Sequence, residues 1–160
     1  MLMLLLDKKP QITILIFMAS TTVNLRGHHL LCLLAFRGKG YNRAFINNLA
    51  KLQEKIRNDK KIKIKIVEGA DDICVQCPYL NGNTCCKEAE ERTQKINKID
   101  NNILNKLNFK KNEIITLSDL VKSLSQIPKQ ELAKLCSSCS WLKTENCPKE
   151  IILFIHSFST

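Results

Sequence analysis

The sequence predicts a predominantly helical α+β fold: a single small domain with one or a few short strands and two cysteine-rich, metal-binding loops. Three observations predict it. Several segments have apolar residues at helical spacing, one segment alternates strictly, and six of the eight cysteines fall into two identical patterns. With 160 residues, 44% of them hydrophobic, the chain suits one globular domain and is not wholly disordered. We expect a domain over residues 24–148, an N-terminal extension over 1–23 with Met18 as an alternative start, and an apolar tail over 149–160.

Five segments have the pattern of helices. In Asn42–Asn58, apolar residues at 45, 49, 52 and 56 share one face, which predicts an amphipathic helix. The other four helices are expected at His28–Phe36, Lys87–Leu107, Ser118–Ile127 and Pro128–Leu135. Proline suits a first helical position, because its missing N–H costs nothing there. The apolar segment Ile151–Phe158 either packs on the core or extends from it.

The segment Lys61–Val67 reads Lys-Ile-Lys-Ile-Lys-Ile-Val, which predicts a half-buried strand with its lysines outward. Charged lysines discourage pairing with further chains, so they also fit a strand at the edge of a sheet.

The cysteines carry the most specific signal. Cys74, Cys77 and Cys85 have the spacing C-x2-C-x7-C, and a second trio, Cys136, Cys139 and Cys147, repeats it. A gap of two residues turns the backbone tightly, so both thiolates can point to one metal centre. In a reducing compartment, such closely spaced cysteines indicate metal ligands or redox thiols. We therefore predict all six as cofactor and metal ligands.

Three thiolates do not complete a zinc or iron–sulphur site, which takes four ligands. Either each trio recruits one more ligand, or four of the six cysteines converge on one centre. The candidates for the further ligand are Cys32, Cys86, His28 and His29. His28 and Cys32 lie four residues apart, on one face of a helix, although Cys32 could also be a small buried apolar residue. Cys86 is expected to be a neighbour of the ligand Cys85, while a spacing of C-x2-C-x8-C would make Cys86 the ligand instead.

The sequence leaves two alternatives for the metal. Iron–sulphur clusters and zinc both suit thiolate trios. A simple zinc ribbon is disfavoured, because the separation of Cys77 and Cys136 far exceeds the roughly 15–20 residues of that form. Cys77 and Cys147 are each followed by proline, and a Cys-Pro step also ends the cluster-binding run of bacterial ferredoxins. Disulfides would need an oxidising compartment, for which the sequence gives little support.

Several motifs occur in a specific order: LRGHHLLCLL from Leu25, FRGKGY from Phe36, DDICVQCP from Asp71, the acidic Glu88, Glu90 and Glu91, then CSSCSW from Cys136 and a last Cys147. In these motifs the chain resembles the domain of unknown function 1284 family over about residues 24–148. That family comprises small bacterial and archaeal proteins of unassigned activity that are thought to bind iron–sulphur. The resemblance implies a cluster, which we expect to be of the 4Fe-4S type.

We therefore predict a cytoplasmic iron–sulphur protein of unassigned activity, acting in electron transfer or redox sensing. The alternative is a structural zinc module for protein or nucleic-acid partners. The net charge of +10 suits an acidic redox partner, whereas only 6% aromatic residues disfavour nucleic acid. No run reaches the roughly 20 apolar residues of a membrane span. The oligomeric state is left open.

No catalytic residue is predicted, because the chain has no phosphate-binding glycine loop, HExxH motif or nucleophile elbow. His28, His29, Asp71 and Asp72 could flank a metal with an open coordination position, which keeps an enzyme as a further hypothesis. The two aspartates more commonly brace a turn by accepting backbone N–H bonds.

Overall fold

Six helices and five short strands form the part of the protein that the computed structural model describes, namely residues 22–59, 61–85, 91–137, 139 and 146–158. The helices are α1 (Gly27–Ala35), α2 (Arg43–Asn58), α3 (Glu91–Leu107), α4 (Leu117–Ser125), α5 (Lys129–Leu135) and α6 (Cys147–Phe158). The strands are β1 (Thr22–Leu25), β2 (Lys63–Ile66), β3 (Leu80–Asn81), β4 (Thr84–Cys85) and β5 (Ile114–Thr116). The predicted fold class, α+β and predominantly helical, is confirmed.

Strand β2 is the centre of a three-stranded sheet, parallel to β1 and antiparallel to β5. Ile64 pairs with Val23 on one side and with Ile115 on the other, and all three side chains are buried. The predicted alternation is confirmed, since Ile64 and Ile66 are buried while Lys63 and Lys65 are half-buried. The edge position was wrong: both neighbours of β2 are short strands distant in sequence, which the local pattern does not reveal.

Helix α2 follows the predicted periodicity. Its N-cap Asn42 accepts a hydrogen bond from the backbone N–H of Phe45 at 2.8 Å, which supplies one of the acceptors that a helix start lacks. Phe45, Leu49 and Ile56 are buried in the core. Helix α3 also agrees with its prediction from Glu91 onward, and its predicted first turn, 87–90, lies outside the described residues.

Among the C-terminal helices, α6 packs against α1, α4 and α5. Thr116 and Asp119 form a capping box that starts α4, and Pro128 lies at the N-cap of α5 rather than at its first helical position. The apolar tail forms α6, which packs on α1 and buries Ile151, Phe154 and Ile155. Of the two alternatives for this segment, packing on the core is the one observed. Strand β1 likewise begins within the expected N-terminal extension, and residues 1–21 lie outside the described part.

The first cysteine segment consists of a 3₁₀ helix and a hairpin. A 3₁₀ helix at Cys74–Gln76 follows the turn after β2, and the hairpin β3–β4 carries Cys85. Gly82 forms the hairpin turn with φ of 58°, a conformation that favours glycine. In the second segment Cys136 ends α5 and Cys147 begins α6. Residues 138 and 140–145 lie outside the described part.

Candidate metal centre

Arg26 and Gly27 fix the start of α1 against α3. The guanidinium Nε of Arg26 donates to Asp100 Oδ2 at 2.7 Å, and a second nitrogen donates to Asn97 Oδ1 at 3.0 Å. Gly27 lies so close to α3 that a Cβ at this position would come within 2.6 Å of the backbone oxygen of Asp100. Only glycine permits this approach, which brings the two histidines that follow beside α3.

His28 is held by the same carboxylate. Asp100 Oδ1 lies 2.8 Å from the backbone nitrogen of His28, which donates to it, and 2.7 Å from the ring Nδ1. Asp100 thereby places an acceptor and a negative charge at the start of α1, whose own N-cap residue makes no side-chain cap. Burial alone would raise the pKa of Asp100, but its hydrogen bonds to His28 and the nearby Arg26 lower it below its ordinary value. Burial, together with His29, lowers the pKa of His28.

Asp71 organises the other side of the site. Its Oδ1 accepts the backbone N–H groups of Ile73 and Cys74 at 3.0 and 3.1 Å, which confirms the expected turn-bracing role. Its Oδ2 accepts the backbone N–H of Arg26 at 2.8 Å and lies 2.7 Å from Nδ1 of His29. Burial opposes the charged form, yet His29 and these hydrogen bonds hold the pKa of Asp71 well below its ordinary value. Asp71 therefore joins the 3₁₀ helix to the start of α1.

His29, Asp71 and Cys74 each offer one potential ligand atom, and these atoms lie within 4.8 Å of one another. This group is a possible binding site for a metal ion. His29 and Cys74 are both ligand candidates from the sequence, where Asp71 is expected to brace a turn or to flank a metal.

All the predicted ligands line one cavity of about 140 Å³. It is bounded by both cysteine segments and by the inner face of α1. The cavity-lining ligand candidates are His28, His29, Cys32, Cys74, Cys77, Cys85, Cys136, Cys139 and Cys147. None of these seven described cysteines is in a disulfide bond. Cys86 lies outside the described residues, so its predicted non-ligand role is untested.

The thiols lie close enough to act on one another electrostatically. Burial raises the pKa of Cys136 to about 12, and the neighbouring Cys147 and Cys139 add to the shift. Burial raises the pKa of Cys32 well above its ordinary value, again with contributions from Cys139, Cys136 and Cys147. Cys74 has a pKa raised to about 12 by burial and by Asp71. Crowded, buried thiolates repel one another, and a bound cation would relieve that repulsion.

The remaining wall of the cavity is apolar and aromatic. Leu31, Ala35, Ile73 and Ile103 contribute buried aliphatic surface. Tyr41 contacts Phe45 and Tyr79 with ring centroids 4.9 and 5.0 Å apart. Burial raises the pKa of Tyr41, and the thiols of Cys77, Cys139, Cys32 and Cys85 add to the effect. Tyr41 therefore lies beside thiols of both cysteine segments.

The comparison with protein families agrees with this arrangement of motifs. The family described as "protein of unknown function (DUF1284)" matches residues 40–145, more than half of the chain. The chain belongs to this family. The DUF1284 match begins after the Arg26–Cys32 motif and ends before Cys147. The position of α1 beside the cysteine segments is therefore known from the structure and not from the match. No curated protein and no solved structure matches the chain.

Sequence reasoning missed Asp100, and it named Asp71 without joining it to His29. Asp100 lies in a helix rich in Lys and Asn. The available signal is its spacing, since it lies four residues after Ile96 and three before Ile103, both buried. Within the described part of the chain, no helix is long and apolar enough to cross a membrane.

Proposed function

We propose that this DUF1284 protein binds iron–sulphur through the thiolates of its central cavity and acts in electron transfer or redox sensing in a reducing cytoplasm. The observation that carries the proposal is the convergence of seven thiols on one cavity from four parts of the chain: α1, the 3₁₀ helix, the β3–β4 hairpin and the C-terminal segment.

The number of donors exceeds the need of one structural zinc. A structural zinc is closed by four ligands, whereas seven thiols and two imidazoles line this cavity, enough for two centres. Thiolate ligands and a largely apolar wall are the surroundings of iron–sulphur clusters.

The trios are each one ligand short. Cys32 lines the cavity with both trios, and Cys139, Cys136 and Cys147 add to the rise of its pKa, so we assign it as the fourth thiolate of the C-terminal trio. The first trio, Cys74, Cys77 and Cys85, lines the same cavity without a fourth thiol among the described residues. This division retains two centres, one for each C-x2-C-x7-C pattern.

Such clusters supply one-electron chemistry, at a potential set by cluster type, charge, hydrogen bonds to sulphur and exposure. This chain would influence that potential by its largely apolar wall, which limits the exposure of the cluster to water. Val75, between these two cysteines, is 64% exposed, which brings one side of the site to the surface. A net charge of +10 would favour an acidic redox partner there.

The test is the iron and acid-labile sulphide content per chain, with the visible spectrum, of protein purified without oxygen. Iron with sulphide in the wild type, and a fall of both in Cys139→Ser, which lacks one ligand of the C-terminal trio, is the expected result. Zinc without sulphide would contradict the proposal and favour the structural module. Cys86→Ser serves as the matched control, since it also removes one thiol.

A further inference from the structure

The buried carboxylate of Asp71 holds His29 in one orientation. The ring Nδ1 lies 2.7 Å from Asp71 Oδ2, and the Asp71 side chain has no exposed surface. The carboxylate is itself fixed, because backbone N–H groups of Arg26, Ile73 and Cys74 donate to it. The imidazole is therefore tied to a rigid acceptor.

Asp71 is better suited to orient a ligand than to be one. Two atoms bound to one tetrahedral zinc at about 2.0–2.1 Å would lie roughly 3.3 Å apart. The separation of 2.7 Å between Asp71 Oδ2 and His29 Nδ1 is instead that of a hydrogen bond. With Nδ1–H donating to the carboxylate, the lone pair of the neutral ring is on Nε2, as in carboxylate–histidine–metal arrangements.

The His29 ring lines the same cavity as the thiols. Its side chain is only 13% exposed. Cys74, the first thiol of the incomplete trio, belongs to the group of ligand atoms that lie within 4.8 Å of one another around His29. His28 is held by Asp100 in the same way, but its side chain is 27% exposed and it does not belong to that group of ligand atoms.

We propose that His29 binds the metal centre through Nε2 as the fourth ligand of Cys74, Cys77 and Cys85, and that Asp71 is the positioning residue that fixes its tautomer. This inference rests on the proposed function, namely that the cavity holds a metal centre. His29 and Cys32 are three residues apart on α1, so one face of this helix supplies the fourth ligand of each trio. A neutral imidazole in place of a thiolate makes the centre less negative and raises its reduction potential, as histidine does in Rieske centres.

The direct test is pulsed electron paramagnetic resonance of the reduced, metal-loaded protein carrying ¹⁵N-labelled histidine. The wild type is expected to show a strongly coupled histidine nitrogen. His28→Gln should keep that signal and His29→Gln should lose it. Because His29→Gln could fail to fold, His29→Cys is the second variant. It should keep its iron and sulphide, lose the nitrogen coupling and have a lower reduction potential.

The positioning role of Asp71 is tested by a double-variant comparison of metal affinity, measured by competition with a chelator. Loss of such an outer partner typically weakens metal binding about 10–100-fold, and we expect this of Asp71→Asn. In the His29→Cys background the same change should have a much smaller effect, because no imidazole remains to be oriented. Equal weakening in both backgrounds would show a merely structural role and overturn the assignment to Asp71.

The outcomes separate the two proposals. Iron and sulphide without any coupled histidine nitrogen, or with coupling lost in His28→Gln alone, would overturn the inference and leave the proposed function standing. Zinc without sulphide would overturn the proposed function. The nitrogen measurement would then be made on the cobalt(II)-exchanged protein. Coupling from His29 would support the inference, and its absence would overturn it. A wild type that binds no metal would overturn both.

Discussion

Arg26 and Asp100 form a buried ion pair, with Nε and Oδ2 2.7 Å apart and the two side chains only 4% and 9% exposed. The pair joins the start of α1 to the middle of α3, and the second carboxylate oxygen binds His28. Because α1 carries His29 and Cys32, the position of two proposed ligands depends on this contact. The stability and the metal site of the protein are therefore coupled through Asp100.

Removing the charge of Asp100 should strongly destabilise the protein. Asp100→Asn keeps the shape but leaves Arg26 buried without its counter-charge, and breaking a buried pair in this way costs about 3–5 kcal/mol. The measurement is the free energy of unfolding of the metal-free protein by urea. The matched control is Glu68→Gln, which breaks the exposed pair with Lys111 and should cost no more than about 1 kcal/mol. Equal costs for the two variants would contradict the buried role of Asp100.

The same pair predicts a specific pH dependence. The pKa of Asp100 is lower in the folded protein than its ordinary value of 3.8. A depressed pKa contributes stability that is fully present above the unfolded value and is lost as the pH falls through the folded one. The difference in unfolding free energy between the wild type and Asp100→Asn should thus shrink as the pH falls below about 4. A difference that stays constant down to pH 2 would rule out this titration.

The first trio should depend on Cys85 and not on its neighbour. Cys85 lines the cavity from strand β4, whereas Cys86 is expected from the cysteine spacing to be a non-ligand. Cys85→Ser should lose the metal of the first trio, and Cys86→Ser should retain it, as measured by metal content after gel filtration. Metal loss in Cys86→Ser alone would transfer the ligand role to position 86.

Cys32 should be needed for the C-terminal centre. Cys32→Ser removes the thiol that α1 contributes, so the metal content per chain should fall while the first trio keeps its share. Ala35→Ser is the control, because it places the same hydroxyl on the same helix in the cavity wall without removing a thiol. Unchanged metal content in Cys32→Ser would exclude Cys32 from the site and return it to the role of a small buried side chain.

Local patterns predicted helices and strands such as α2 and β2. They could not show the contacts between segments that are distant in sequence. The periodicity of α2 and the alternation of β2 are set by which face is buried, and both are confirmed at Phe45, Leu49 and Ile64. The centre position of β2 depends on β1 and β5, which are only four and three residues long and give no pattern of their own. A short strand is defined by its partners rather than by its sequence.

In the candidate site, too, local spacing predicted some features and contacts between distant residues determine the others. Cysteine spacing grouped Cys74 with Cys77 and Cys136 with Cys139, and all four line one cavity. The carboxylates that hold the histidines come from residues 42 and 72 positions along the chain, so no local motif joins them. The buried Arg26 shows the same limit, since its burial is possible only because Asp100 neutralises it.

Metal removal should loosen the two cysteine segments and leave α2 intact. The proposed ligands join the 3₁₀ helix, α1 and the start of α6, whereas α2 is held by Phe45, Leu49 and Ile56 in the apolar core. Without the metal the buried thiols lose the cation that links these segments, and metal binding in such sites contributes directly to folding. Hydrogen exchange with mass spectrometric readout, on metal-loaded and chelator-treated protein, should show lost protection at Cys74–Gln76 and at the first turn of α6. Protection in α2 should be unchanged, and a uniform loss across the described helices would mean that the metal stabilises the whole domain rather than the cavity.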